Sequence, residues 1–472
     1  LPKPSVINYQ TPKKVEITMN REPRSPLQED CINMMLHNTS SKLTIELKPG
    51  TGKEEPYSRK IPTPTEKGYT LMGDLKVGDY VFDRSGNPTQ ILQIFEQGVK
   101  DVYKITFQDG RVALCGLEHL WTVKSHKNGI WKTVTTEDML KDFKRESPWK
   151  VKNGRDDPYA YKYYIPVCNA VNYPKQPVPI DPWVLGCFIG NGCCTDETLT
   201  ISSGTDEIPK RIAKICGFKV KRNPANYDYT FYNENGKGVK TEDFFKEIPE
   251  MINCYSRNKK IPDIYLYNDI ETRMNVVKGL LDTDGSISPS KGRYNIRYTS
   301  CSLKLLKQIR WMMHSFGFST GKIIADIRED KYVNTFCGNI HLRIPNNMKQ
   351  NFFTVGYKRS IAEEAAGVDK ENIFEDLLIK DISFSHKEEC RCIMVDNPEH
   401  LYLTEDFIVT HNTFIATYAT SKIQMKPLVI APTTLLKNQW VEEFEGCGIP
   451  REDIATRIWD APNKKVCVVT IS

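Results

Sequence analysis

The sequence predicts a multidomain chain: an all-β domain split by an inserted α/β domain, with two flanks that are pieces of one α/β phosphate-loop unit. Three observations predict it. Short alternating runs with Gly-Asp turns, Tyr69 to Phe82 and Val102 to Val123, return at Glu388 to Asn412. Between them, from about Asp181, the texture changes to helices separated by turns and contains an internal repeat. A phosphate-binding loop begins in the upstream flank and is completed only in the downstream one.

With 472 residues, 39% hydrophobic and 26% charged, the composition is ordinary and the length exceeds one typical core, so several domains are expected. No apolar run approaches the ~18 residues of a spanning helix, and Leu1 to Gln10 lacks a charged-then-apolar signal pattern. A cytoplasmic monomer, or a virus- or phage-encoded intracellular one, with no membrane partner is therefore expected. Fourteen cysteines are scattered along the chain, and Cys193-Cys194 and Cys390-x-Cys392 lack the C-x-x-C spacing of a zinc site. The net charge of +6 is compatible with DNA as a partner.

The first element, in the upstream flank 1–53, is the strand-like run Leu43 to Leu47 followed by Lys48-Pro49-Gly50-Thr51-Gly52-Lys53. A phosphate-binding loop needs Ser or Thr after its Lys, because that hydroxyl holds magnesium while backbone N–H groups and the ammonium cradle phosphates. Glu54 stands there instead, and the missing piece is Thr413-Phe414-Ile415-Ala416 at the start of an amphipathic run. Removing Glu54 through Asn412 would write PGTGKTFIATYA, a loop entering a helix. The joined flanks resemble a superfamily 2 helicase, with APTTLLKNQW (Ala431 to Trp440) similar to its backbone-contacting motif. That resemblance implies nucleotide binding by Gly50, Thr51, Gly52, Lys53 and Thr413 once joined, Gln28 as an adenine-reading residue, and ATP with Mg²⁺ as cofactors of the joined host. No acidic motif precedes Ser472, so hydrolysis is not expected of this piece.

The split β domain opens with KIPTPTEKGYTLMGDLKVGDYVF, continues with ALCGLEHLW, and closes with CIMVDNPEHLYLTEDFIVTHN. These blocks resemble those of inteins, self-splicing proteins with the horseshoe-like all-β Hint fold. An Asn at the end of such a segment can attack its own carbonyl and break the chain. Asn412 stands there, with His411 placed for proton transfer and Thr413 as the following hydroxyl nucleophile. An intein ordinarily begins with Cys or Ser, but this insertion begins with Glu54, whose carboxylate cannot attack the preceding bond. The departure is similar to class 3 inteins, which carry a Trp, Cys and Thr triplet, matched here by Trp121, Cys392 and Thr410. The resemblance implies that Cys392 attacks the Lys53–Glu54 bond, that His119 polarises that amide and protonates its nitrogen, and that splicing is intramolecular without a cofactor. His400, in the closing block, is a further candidate catalytic residue. Gly116 stands where the histidine block ordinarily has Thr, so backbone N–H groups are expected to serve there.

Within the inserted domain, Val184-Leu185-Gly186-Cys187-Phe188-Ile189-Gly190-Asn191-Gly192 and Val277-Lys278-Gly279-Leu280-Leu281-Asp282-Thr283-Asp284-Gly285 form the internal repeat. Both resemble the LAGLIDADG homing-endonuclease motif. Small residues one turn apart, Gly186 with Gly190 and Gly279 with Thr283, are expected to let two helices pack backbone to backbone. The resemblance implies DNA as partner, Mg²⁺ as cofactor of an active site, Asp284 as a metal ligand, and Lys260 as the basic active-site residue. Asn191 replaces the acidic residue of the first repeat, so DNA binding is expected and double-strand cleavage is not. Arg293, Arg297, Lys322, Arg328 and Lys331 are expected to meet phosphates.

The domain organisation expected is an upstream flank 1–53, the first part of the Hint domain 54–130, an unassigned linker 131–180 and the endonuclease domain 181–353. A linker 354–380, the second part of the Hint domain 381–412 and a downstream flank 413–472 complete it. The alternatives are a free-standing DNA endonuclease with incidental flanks, or a helicase fragment with an inert insertion.

Overall fold

The computed structural model describes residues 54–472 apart from 127–128, 291–292, 330–333, 369–375, 398–400, 412–427, 432–436, 439–440, 442–443, 446–448 and 471–472. Its spine is a pair of 20-residue antiparallel strands, Pro88–Phe107 and Asp376–Val395. Their register breaks at four places, between Ile379 and Asp381, Phe384 and His386, Cys390 and Arg391, and Met394 and Val395. Breaks of this kind bend and twist a ribbon locally, and here they curl the spine. Tyr80–Phe82 and Val112–Cys115 add to the first strand, while Glu55–Pro56 and Tyr164–Pro166 add to the second. Ser58 fastens the opening segment: its N–H and hydroxyl donate to the two carboxylate oxygens of Glu388 at 2.8 and 2.9 Å, 330 positions away.

The alternation seen in the sequence buries one face of these strands. Ile105, Phe107, Trp121 and Val123 from the first half share a core with Leu377, Ile379 and Ile408 from the second. The segment 131–180, expected as a linker, belongs partly to this core. Lys132–Thr135 pairs with Leu120–Val123, the helix Thr136–Asp142 follows, and Tyr163 and Ile165 are buried beside Leu377 and Ile379. Its polar composition misled because each of these short elements buries only one side. The second expected linker, 354–380, also carries structure. The helix Gly356–Ala366 buries Ala362 in the core of the inserted domain, and Leu377 and Ile379 lie in the β core.

The inserted domain is built on two helices, Pro182–Asn191 and Ile270–Thr283. Both start as their sequences dictate. Asp181 caps the first by accepting from the N–H groups of Trp183 and Val184, with Pro182 in the first turn, and Asp269 caps the second through Thr272. Each helix feeds an antiparallel sheet, one of four strands between Gly192 and Tyr232 and one of five between Gly285 and Arg343. The inserted domain presses on the β domain through the helix Leu303–Ser315. Trp311 packs edge-on against Phe407 at 4.9 Å, and Arg111 donates to the Asp406 carbonyl at 3.2 Å. Asp406 and Phe407 hold positive φ, 59° and 56°, a conformation that non-glycine residues adopt at a cost. This turn leads directly into the strand Ile408–His411.

Downstream, Leu428–Ala431 and Ile454–Ala455 flank Val466–Thr470 in a small parallel sheet. Among the described residues no helix is long and apolar enough to cross a membrane.

Candidate functional site

His119 lies in the turn between Val112–Cys115 and Leu120–Val123, and it is fully buried. The turn is pinned from both ends. The Gly116 N–H donates to the Glu54 carbonyl at 3.0 Å, the His119 N–H donates to the Gly116 carbonyl, and Thr136 and Glu137 donate to the His119 and Leu117 carbonyls. Trp121 stands against the imidazole with ring centroids 4.9 Å apart, and its indole N–H donates to the Thr136 hydroxyl at 3.0 Å. On the opposite side the Thr410 hydroxyl lies 2.5 Å from His119 Nε2. Trp121, His119 and Thr410, far apart in sequence, therefore meet at one buried point.

Cys392 is buried on the long strand Asp376–Val395. Glu55 and Pro56 pair with Arg391 and Cys390, so one more step of the antiparallel register sets Glu54 opposite Cys392. The nearby Cys390 is a poor rival nucleophile. Burial, followed by the charges of Glu55 and Glu54, pushes its thiol up to about 12, and its Sγ donates to the Glu388 carbonyl at 3.4 Å.

Glu54 is itself buried, with Lys100 Nζ 4.0 Å from its carboxylate. A Cβ on Gly116 would lie 2.9 Å from Glu54 Oε2 and 3.1 Å from Glu54 Cβ. Glycine is thus the residue compatible with a large side chain at the start of the insertion. The backbone N–H of Gly116 serves the Glu54 carbonyl. Lys53, His400, Asn412 and Thr413 lie outside the described residues, as do Gln28, Gly50, Thr51 and Gly52; the His411 backbone closes the Leu401–Thr404 hairpin opposite Leu401.

Two site residues were missed in the sequence. Arg59 is 2% exposed and donates to the Leu114 carbonyl at 2.6 Å and the Thr404 hydroxyl at 2.7 Å. Its Nε lies 3.3 Å from the carboxylate of Glu55, which is 1% exposed and 3.6 Å from His119 Nε2. Burial drives the Glu55 carboxyl up to about 7 against the pull of Arg59. The run EEPYSR reads as ordinary surface charge, and only the four-residue spacing of Glu55 and Arg59 hinted at a pair.

In the inserted domain the two repeat helices touch backbone to backbone. A Cβ on Gly186 would lie 2.3 Å from the Val276 carbonyl oxygen and 3.0 Å from Gly279 Cα; one on Gly190 would meet the Thr283 hydroxyl at 2.0 Å. Asn191 ends the first helix and Asp284 follows the second. Two buried lysines satisfy the carbonyls that helix ends leave open. Lys259 donates to Phe188, Gly190 and Gly192, and Lys358 donates to Leu281, Asp282 and Thr283, all within 3.2 Å. Burial raises the Asp284 carboxyl, and the charges opposing that shift are Lys259 and Lys358. Lys260, the expected basic residue, instead points to Glu250 at 3.5 Å and is 30% exposed. Arg293 and Arg297 stand exposed on one face of the strand Arg293–Ser300, and Lys322 is exposed nearby in sequence.

A magnesium ion held between two carboxylates does not fit this centre, since Asn191 supplies an amide opposite Asp284. Among the described residues, no group of three His, Cys, Asp or Glu is arranged so that it could hold a metal ion.

The chain is 21% identical over 382 residues to the replicative DNA helicase DnaB of Mycobacterium intracellulare, covering 79% of this chain and 60% of that protein. It is 34% identical over 80 residues to DnaB of Mycobacterium leprae (strain TN), covering 17% and 13%. The chain thus spans less than two thirds of either relative. Among solved structures, the MchDnaB-1 intein (N145AA) aligns over 76% of this chain and 98% of its own, with 10% identity and a TM-score of 0.23. Residues 271–353, which hold the second repeat helix and the five-stranded sheet after it, match the profile of the LAGLIDADG-like domain.

Proposed function

We propose that the chain is a class 3 intein that excises itself from a phosphate loop. Cys392 attacks the Lys53 carbonyl, the acyl group passes to Thr413, and Asn412 cyclises with help from His411. The flanks are then joined as Gly50-Thr51-Gly52-Lys53-Thr413, a loop able to bind ATP with Mg²⁺ beside Gln28. In this reading His119 polarises the amide and protonates the Glu54 nitrogen as it leaves. The observation that carries the reading is the contact of His119 with both Trp121 and Thr410, beside a strand register that sets Glu54 opposite Cys392. Holding the Cys392 thiol against the Lys53 carbonyl would supply ~7–11 kcal/mol of a bimolecular barrier. The intact mass of freshly expressed chain tests it: a ligated flank product and an excised middle are expected, and Cys392→Ala abolishes both. Unimpaired ligation in Cys392→Ala would refute the assignment.

The inserted domain is read as a DNA-binding LAGLIDADG unit with impaired cleavage, supported by the paired glycine helices, the match over 271–353 and the amide at Asn191. Binding to random duplex DNA should weaken steeply with salt. Asn191→Asp with added Mg²⁺ should create nicking or double-strand cleavage on a target that the unsubstituted chain only binds.

A further inference from the structure

The carboxyl of Glu55 is a buried group in the splicing centre to which the scheme above gives no task. It lies one residue inside the upstream junction, between Arg59 Nε at 3.3 Å and His119 Nε2 at 3.6 Å. The same imidazole nitrogen faces the Thr410 hydroxyl. Glu54 and Arg59 act on it from its own segment, Cys115 from Val112–Cys115, Cys390 from the long strand and Tyr402 from Leu401–Thr404. Burial pushes the Cys115 and Cys390 thiols up to about 12 and the Tyr402 phenol well above its ordinary value, so all three stay protonated at neutral pH. Protons near neutrality are therefore exchanged by Glu55 and by imidazole, the side chain suited to that range.

We propose that Glu55 is a positioning residue for the first acyl shift, holding His119 in its protonated form and taking up the proton that the attacking thiol releases. The inference rests on the splicing reading. In the working state the pair holds one proton, with Glu55 ionised and His119 an imidazolium. As the Cys392 sulfur adds to the Lys53 carbonyl carbon, its proton passes to the Glu55 carboxylate. As the C–N bond breaks, His119 gives its proton to the Glu54 nitrogen. One S–H and one C–N bond are lost, one S–C and one N–H bond are formed, and the pair again holds one proton.

A pair with two protons has no carboxylate to accept the thiol proton, and a pair with none has no imidazolium to polarise the amide. The acyl-shift rate should therefore trace a bell against pH. With the Glu55 carboxyl near 7, its acid limb falls close to neutrality.

The test is single-turnover processing of the full chain, purified unfolded and refolded at pH 5.5 to 9, followed on denaturing gels. Glu55→Gln should slow the shift roughly 10- to 100-fold at neutral pH and replace the bell by a single ionisation. Glu55→Asp should restore the bell at reduced height. Glu55→Gln with the bell unchanged in shape, even if scaled down, would overturn the proposal and leave Glu55 a packing group.

Where Glu55→Gln does not refold, the His119 ring carbon is titrated by ¹³C NMR in a Cys392→Ala chain. Two coupled steps support the proposal, and one independent step refutes it. Wild-type chain that never ligates, or Cys392→Ala that does, would instead overturn the splicing reading itself. Normal splicing that depends on Cys392, with no response of the bell to Glu55→Gln, removes the Glu55 role alone.

Discussion

The hydroxyl of Thr410 lies 2.5 Å from Nε2 of His119, although the two residues are 291 positions apart. A hydroxyl at that distance fixes the orientation of the ring. Thr410→Val keeps the shape and removes the hydrogen bond; it should slow upstream cleavage roughly 10- to 100-fold. Thr410→Ser should retain most of the rate. Equal rates for the valine and serine variants, measured as precursor half-lives, would exclude a role for the hydroxyl.

The carboxyl of Glu55 also makes a prediction about stability. Its value is raised from 4.5 to about 7, chiefly by burial, so the folded state holds a proton that the unfolded chain releases between those limits. Stability therefore falls as pH rises from 4.5 to 7, by about 3 kcal/mol in total from this group. In chains kept whole by Cys392→Ala and Asn412→Ala, Glu55→Gln should gain on the parent over that interval. Urea titrations at pH 4.5 and 8 check the sign: a difference that does not grow with pH contradicts it.

Gly186 has no room to change. A methyl group there meets the Val276 carbonyl and the Gly279 backbone, neither of which can step aside without separating the helices. Gly186→Ala should cost about 1–3 kcal/mol, whereas Gly190→Ala meets mainly a threonine side chain that can turn and should cost less. Thermal unfolding of the two variants should rank them in that order.

Lys259 and Lys260 are neighbours with opposite fates. Lys259 fills the end of the first repeat helix with three hydrogen bonds, while Lys260 stands at the surface beside Glu250. Lys259→Met leaves buried carbonyls unpaired and should cost about 2–4 kcal/mol, as should Lys358→Met at the second helix. Lys260→Met should leave stability within about 0.5 kcal/mol. A nicking activity created by Asn191→Asp that survives Lys260→Met would take Lys260 out of the endonuclease centre.

The repeat helices were legible because glycines at fixed spacing within an apolar run leave few ways to pack, and Gly186 and Gly279 meet as their positions require. The β alternation was equally plain where one face is buried, as in Val102 to Val123. What escaped was decided by partners distant in the chain. Nothing local tells that Lys259 turns inward and Lys260 outward, or that Glu55 and Arg59 are buried together beneath the Leu401–Thr404 hairpin. The polar stretch 131–180 hid Tyr163 and Ile165 for the same reason: their partners, Leu377 and Ile379, lie on the far side of the inserted domain in sequence. At the site, the sequence singles out Trp121, Cys392 and Thr410, but the meeting of Trp121 and Thr410 at His119 belongs to the fold.

The pairing of Ser58 with Glu388 also sets a clock. A ribosome adds roughly 5–20 residues per second, so the opening segment emerges on the order of tens of seconds before the strand it must join. On the proposed scheme the upstream junction then has neither its register partner nor Cys392, so it should not be cut before that strand emerges. Completion of the long strand would then act as a safeguard: a ribosome that stalls inside the inserted domain should release an uncleaved chain, not a severed upstream flank.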